Sequence, residues 1–218
     1  MKRECLRLSR LLLGLFLYGV GIVLTVHARL GVAPWDVFHQ GVSLRLGVTF
    51  GQASILVSLA LILLAVLVRE RFGFGTLCNM ILIGVFVDLL MLNHLIPTAA
   101  TFFSGLVMMA TGLFVIALAT YCYMGAGYGA GPRDSLMVVM TRKTGRPVGF
   151  CRTLIEGAAL LIGWYLGGHA GLGTVIAVFG SGFAVQAVFT ALRFDPRTIH
   201  QESLAETLGR FFSFIRKR

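Results

Sequence analysis

The sequence predicts an all-α polytopic membrane protein with six transmembrane helices, two short half-helices that re-enter the bilayer, and a 3+3 inverted-topology repeat. Three observations carry this: long apolar runs, a lopsided distribution of Lys and Arg, and self-similarity at a constant offset. The chain has 218 residues, of which 57% are hydrophobic and 13% charged, with a mean hydropathy of +0.86. A soluble domain runs at about 45–50% apolar and about 25% charged, which excludes a soluble globular reading. Disorder is excluded as well, because a disordered chain cannot leave this much apolar surface in water.

Six apolar runs are near the ~20 residues needed to cross a bilayer: roughly 11–28, 52–68, 74–93, 104–124, 150–166 and 172–192. Two shorter segments, 34–46 and 132–142, each begin with Pro and are too short and too polar to span alone. They read as half-helices. With six spans and a cytoplasmic N-terminus, 16 of the 19 Lys and Arg residues fall on the inner side. Only Arg29 and Arg45 lie outside, and Arg152 sits in the first turns of a span. The loops 94–103 and 167–171 carry no Lys or Arg, as external loops should. Making the half-helices span would move Arg69 and Arg71 outside and spoil the asymmetry. Both termini are therefore expected in the cytoplasm. The first run, ending Val26-His27-Ala28, also resembles a secretory signal with its cleavage site. The repeat argues against cleavage, since this run has a counterpart in mid-chain.

The repeat has an offset of 98 without gaps. Gly14-Leu15-Phe16 matches Gly112-Leu113-Phe114, Gly31 matches Gly129, and Pro34-x-Asp36 matches Pro132-x-Asp134. Gly47 and Gly51 match Gly145 and Gly149, and Arg45 matches Lys143. Gly73-x-Gly75-Thr76 matches Gly171-x-Gly173-Thr174, and Gly84 matches Gly182. Apolar coincidences are cheap in this composition; Pro, Asp and Gly in one register are not. Each copy reads span, half-helix, span, span, over residues 1–97 and 98–192, followed by a basic tail, 193–218. Three spans per copy is an odd number, so the second copy must sit upside down relative to the first, as in many transporters.

Pro at the first helical position leaves no extra N–H unpaired, and Asp two residues later sits at the positive end of the helix dipole. Two interrupted segments in equivalent positions point to a substrate site where their starts meet near the midplane. The rival reading is that Asp36 and Asp134 merely cap interfacial helices. The residues expected to line a pathway are Asp36, Asp134, Arg133, Trp35 and Gln40. Trp35 and Arg133 are repeat equivalents, so the copies differ where selectivity would arise. Asp36, Gln40 and Ser43 form a polar stripe at i, i+4, i+7.

Ionisable groups inside a bilayer cost about 2.5–3.5 kcal/mol each on insertion scales and face the bundle interior or a cavity. Asp88 in the third span, the i, i+4 pair Arg152 and Glu156 in the fifth, and Asn79 are the coupling or gating residues expected from this argument. For Asp88 the alternative is a snorkelling interface residue, and for Arg152 and Glu156 an inter-helix lock.

Cys5, Cys78, Cys122 and Cys151 have no CxxC spacing, and His27, His39, His94 and His169, scattered near the outer side, have no metal-ligand spacing. No metal site and no cofactor are expected. The net charge of +10 marks topology rather than a nucleic-acid face. In the tail, Leu204, Leu208, Phe211, Phe212 and Ile215 share one helical face and the chain ends Arg-Lys-Arg, which reads as an amphipathic helix on the anionic inner leaflet.

At Leu30-Gly31-Val32-Ala33-Pro34-Trp35-Asp36, followed by Gly51 and by Gly75-Thr76-x-x-Asn79, the sequence resembles the YczE-type membrane proteins, a bacterial group usually placed beside the YitT and YyaS proteins. The resemblance runs through about residue 192. It implies a small multi-pass protein of about six spans in the bacterial cytoplasmic membrane. It brings no settled activity, and no functional residue is transferred from it.

Three functions are compatible with these features. The first is a transporter or channel for a small solute or ion, with a central site between the half-helices. The second is an accessory membrane subunit, or the capture subunit of a larger importer, that contacts a partner protein or another copy through the tail and the basic loop Arg142, Lys143 and Arg146. A membrane-embedded enzyme is the third, and no nucleophile–base pair supports it, so a non-enzyme is expected. The bilayer itself is the one partner common to all three.

Overall fold

The computed structural model describes residues 2–68, 72–129, 131–146, 148–195, 199, 201–207 and 209. Its principal helices among the described residues are α1 (Lys2–His27), α2 (Pro34–Leu46), α3 (Phe50–Leu67), α4 (Phe74–Leu92), α5 (Phe102–Ala126), α6 (Pro132–Thr144), α7 (Val148–Tyr165) and α8 (Leu172–Ala191), with a further helical turn at 204–207. No strand occurs among the described residues. Five helices are long and apolar enough to cross a membrane: α1 from Glu4, α3, α4, α5 and α8. In α7 the apolar stretch is the shorter Thr153–Tyr165. At 13 residues each, α2 and α6 reach about 20 Å, short of the ~30 Å hydrocarbon thickness. The largest departure from the sequence boundaries is in α1, which starts at Lys2 rather than near residue 11.

The exterior is what a lipid solvent selects. Large apolar side chains such as Leu67, Phe103, Phe179 and Phe183 are exposed. Polar and small residues turn inward instead: Thr25, Asp36, His39, Ser54, Ser58, Thr76 and Thr174 are buried. This inverts the surface rule of soluble proteins.

α1 and α5 pair at the centre of the bundle along a seam of small residues, with Gly14 against the backbone at Ala119 and Tyr123, and Gly112 against Gly21 and Thr25. Without side chains at these points the backbones approach closely enough for dispersion to hold them in an apolar solvent. α4 packs on α1 and α8 packs on α5. α2 lies chiefly against α7 and less against α3, while α6 touches both α3 and α7. Each half-helix therefore leans on the opposite half of the chain.

Contacts at positions 98 residues apart correspond. The Gly75 N–H donates to the Tyr128 carbonyl at 2.7 Å, and the Gly173 N–H donates to the Leu30 carbonyl at 2.5 Å. Thr76 Oγ1 accepts from the Gly73 N–H and Thr174 Oγ1 from the Gly171 N–H, both at 3.1 Å. Gly31 (φ +103°) and Gly129 (φ +114°) bend the linkers that precede the half-helices. A Cβ on Gly31 would lie 2.6 Å from the Gly171 nitrogen, and one on Gly129 would lie 2.7 Å from the Gly73 Cα. Both positions combine a left-handed φ with backbone-to-backbone contact, which only glycine accommodates.

The halves diverge at Asp88. Its carboxylate accepts the Gly51 N–H at 2.8 Å and the Thr49 hydroxyl, which ties α4 to the first turn of α3. Gln186, the equivalent residue, donates instead to Thr190 of its own helix at 3.1 Å. α3 and α4 are accordingly packed together, whereas α7 packs on α2 and α6.

Residues 201–204 lie against the α5–α6 linker and Phe72. The Glu202 N–H donates to the Gly127 carbonyl at 3.0 Å, the Gly129 N–H to Gln201 Oε1 at 3.1 Å, and the Leu204 N–H to the Phe72 carbonyl at 2.9 Å. The Glu202 side chain is buried and pairs with Arg7, whose guanidinium stacks over Tyr128 at 4.5 Å. Burial, and then the hydrogen bond Tyr128 donates to Glu4 at 3.0 Å, push the Tyr128 phenol up to about 12. The predicted amphipathic tail helix is described at residues 204–207 and 209; Leu208, Phe211, Phe212 and Ile215 lie outside the described residues.

Candidate functional site

A cavity of about 110 Å³ lies among α1, α2, α3, α4, α5, α6 and α7. One water needs only about 10–15 Å³ of such space, so a solute of a few heavy atoms fits. The polar lining comes from Tyr18, Trp35, Ser54, Ser58, Asn79, Tyr123, Arg133 and Glu156, with Ile83, Gly131, Pro132 and Ile155 completing it. Backbone here is irregular at the start of α6, which an apolar solvent permits only where protein or a wet cavity covers it.

The starts of the two half-helices meet at this cavity. Pro occupies the first turn of both α2 and α6, and each start has no side-chain cap. Trp35 of α2 lines the cavity together with Gly131, Pro132 and Arg133 at the start of α6, which brings the positive ends of two helix dipoles to it. The repeat equivalents Trp35 and Arg133 touch, with the guanidinium 5.1 Å from the indole centroid. Trp35 is held by Val57 of α3 and Ala159 of α7.

Behind this contact stands a buried polar group. Nη2 of Arg133 is 3.4 Å from Nε2 of His39, a residue with no exposed surface. Nδ1 of His39 is 3.5 Å from Oδ1 of Asp36, which is also buried. Neither of those two atoms has a hydrogen-bond partner among the described residues. An unsatisfied buried polar atom costs about 1–3 kcal/mol, so the fold holds Asp36 and His39 at a distance where they attract without completing the bond. Phe50 of α3 closes the pocket, edge-on to the imidazole at 5.8 Å.

Of the residues expected to line a pathway, Trp35 and Arg133 line the cavity and Asp36 is one step behind it. Gln40 is elsewhere: its side-chain oxygen accepts the His169 N–H at 2.8 Å, fastening α2 to the α7–α8 loop. Ser43 donates to the Val48 carbonyl at 2.7 Å and closes the turn after α2. The side chain of Asp134 lies outside the described residues. Of the expected coupling residues, Asn79 and Glu156 line the cavity, Asp88 caps α3, and the Arg152 side chain lies outside the described residues. Glu156 is itself engaged in an interaction.

Tyr18, Tyr123, Ser54, Ser58 and His39 belong to the site without having been singled out for it from the sequence. Ser54 and Ser58 are the repeat equivalents of Arg152 and Glu156, a signal that was present. Asp36 and His39 are three residues apart on one helix, a spacing that faces them toward each other. Among the described residues no group of three or more His, Cys, Asp or Glu could hold a metal ion.

An all-helical bundle with an apolar exterior and an inward polar cavity defines an integral membrane protein. The chain belongs to the family of unknown function DUF6198, whose model matches residues 5–190. It is 35% identical over 189 residues to the uncharacterized membrane protein YczE of Bacillus subtilis (strain 168), covering 85% of this chain and 87% of that one. It is likewise 35% identical over 179 residues to an uncharacterized protein of Haemophilus influenzae, covering 82% and 81%. YyaS of Bacillus subtilis, also uncharacterized, is 28% identical over 175 residues, covering 76% and 84%. No solved structure matches the chain.

Proposed function

We propose that the protein moves a small solute across the bilayer through a central site between its two half-helices, as a 3+3 inverted-repeat transporter or channel. α7 serves as the sixth span, and both termini face the cytoplasm. The observation that carries this reading is the meeting of Trp35 and Arg133, equivalents 98 residues apart, over a cavity walled by seven helices. The corresponding Gly75 and Gly173 hydrogen bonds support the two-fold relation of the halves. The polar lining supports a hydrated path, because polar groups in a lipid-embedded bundle are stable only against one another or against water.

Single-cysteine accessibility tests the reading. In a background with the four native cysteines replaced, Ser54→Cys and Ser58→Cys should react with small membrane-impermeant thiol reagents from one face of sealed vesicles. Leu63→Cys, on the lipid-facing side of α3, should not. Equal inertness of all three from both faces would overturn the central pathway.

A further inference from the structure

We propose that the cavity binds a small anion together with a proton, the anion on Arg133 and the proton on Nε2 of His39. This rests on the transport reading above and names its substrate class and coupling.

A guanidinium can only donate hydrogen bonds, so at 3.4 Å from Arg133 Nη2 the His39 Nε2 atom is the acceptor. The imidazole proton then sits on Nδ1, facing the Asp36 carboxylate 3.5 Å away. His39 is neutral in this arrangement, and Arg133 itself blocks the one nitrogen that could take a proton. The charges of Arg133 and Asp36 balance across it. Other titratable groups around α2 are few. α3 and α8 carry none, α6 presents Arg133, and α7 brings Glu156 to the cavity wall, while the side chains of Asp134 on α6 and Arg152 on α7 lie outside the described residues.

Among the described residues Arg133 is the cation in the lining that an entering anion would meet, with Trp35 as a flat backing. Turning onto the anion withdraws the guanidinium from Nε2. The freed lone pair takes up a proton from the bulk aqueous phase, and the imidazolium then pairs with Asp36. Taken up together, anion and proton leave the net charge of the site unchanged: Arg133 stands against Asp36 in the first state, and Arg133 against the anion with His39 against Asp36 in the second. Taking up either ion alone would change that net charge in a low-dielectric interior, which is costly. Anion and proton therefore strengthen each other's binding, and by linkage the effect is reciprocal.

The chain has two tryptophans, Trp35 and Trp164, so Trp164→Phe leaves Trp35 as sole reporter of the site. Purified full-length protein in lipid nanodiscs is titrated with formate and with methanesulfonate, at constant ionic strength, from about pH 5.5 to about pH 8.5, where neither anion titrates. Trp35 emission should change saturably, and the half-saturating concentration should rise by up to about tenfold per pH unit, the mark of one proton taken up per anion. His39→Gln should keep the change and lose the pH slope, Asp36→Asn should lose the slope, and Arg133→Gln should lose the change. If His39→Gln does not elute as a single folded species, Asp36→Asn decides. Half-saturation varying less than about twofold over the range, or a slope unaltered in both variants, overturns the coupling. No emission change with either anion overturns the whole proposal, whereas the cysteine labelling of Ser54 and Ser58 decides the transport reading separately.

Discussion

Replacing Asp88 by alanine should loosen the first half of the molecule, and doing the same at its equivalent Gln186 should not. In the wild type the Asp88 carboxylate accepts the Gly51 N–H at 2.8 Å and the Thr49 hydroxyl, at the positive end of α3. Truncation leaves the N–H of the buried Gly51 without its acceptor, at about 1–3 kcal/mol. Loss of a negative charge from a helix start adds about 0.5–1 kcal/mol. The Gln52 N–H keeps its cap, since Thr49 Oγ1 still accepts from it at 3.1 Å. The sum is about 1.5–4 kcal/mol, or about 10- to 700-fold in the unfolding equilibrium at about 1.4 kcal/mol per decade. For a chain of this size that is a fall in midpoint temperature of about 5–15 °C. Gln186 is exposed and bonds only within its own helix, so its truncation should cost about 0.5 kcal/mol or less. Thermal release of the buried thiols of Cys122 and Cys151 to a thiol-reactive dye in detergent reads both variants. Equal midpoints for the two would refute the capping argument. So would an Asp88→Ala protein of wild-type stability that had lost solute movement, which would return Asp88 to the coupling role suggested by its place in a span.

Gly31→Ala and Gly129→Ala should each cost several kcal/mol and by similar amounts, because both force a left-handed φ and a backbone clash under 2.8 Å; unfolding midpoints of the two compared side by side check this. Glu202→Gln removes the charge that faces Arg7 and should release the segment 201–207, read as faster tryptic cleavage after Arg193 with the bundle intact. Tyr128 holds its proton up to about 12 in the fold against about 10 in an unfolded chain, so the folded state binds more protons between those values. Its contribution is complete below about pH 10 and is lost as pH rises toward 12, and Tyr128→Phe should flatten the fall of stability across that window.

The helical plan was legible because membrane solvent writes it in composition and Pro writes it in register. α2 and α6 begin at Pro34 and Pro132, where the missing N–H made a helix start the cheapest arrangement. The start of α1 was not, since Lys2 to Arg10 carries the charges that mark an aqueous segment, while the structure continues the helix through them toward Glu202 and the α5–α6 linker. At the cavity, Trp35 and Arg133 were reached through the repeated Pro-x-Asp starts, and Asn79 and Glu156 by asking which polar groups an apolar run cannot hide. Tyr18, Tyr123, Ser54 and Ser58 escaped that question because each is unremarkable in its own helix and gains meaning only from convergence across the chain. Gln40 shows the reverse: a polar stripe on α2 that the neighbouring loop uses up at His169.

The crossed packing of the half-helices has a consequence for biogenesis. α2 is finished at Leu46, yet α7, its principal neighbour, begins at Val148, and Arg133 comes only shortly before. At about 5–20 residues per second, the ribosome needs about 5–20 s to supply that roughly hundred-residue interval. Through that time a segment carrying Asp36 and His39, too short to span and lacking its cover, must be sheltered by the insertion machinery or by the still-open bundle. A chain ended after α6 would stay in that condition permanently. It is expected to be cleared by membrane proteases rather than to accumulate, a difference that pulse-chase labelling reads directly.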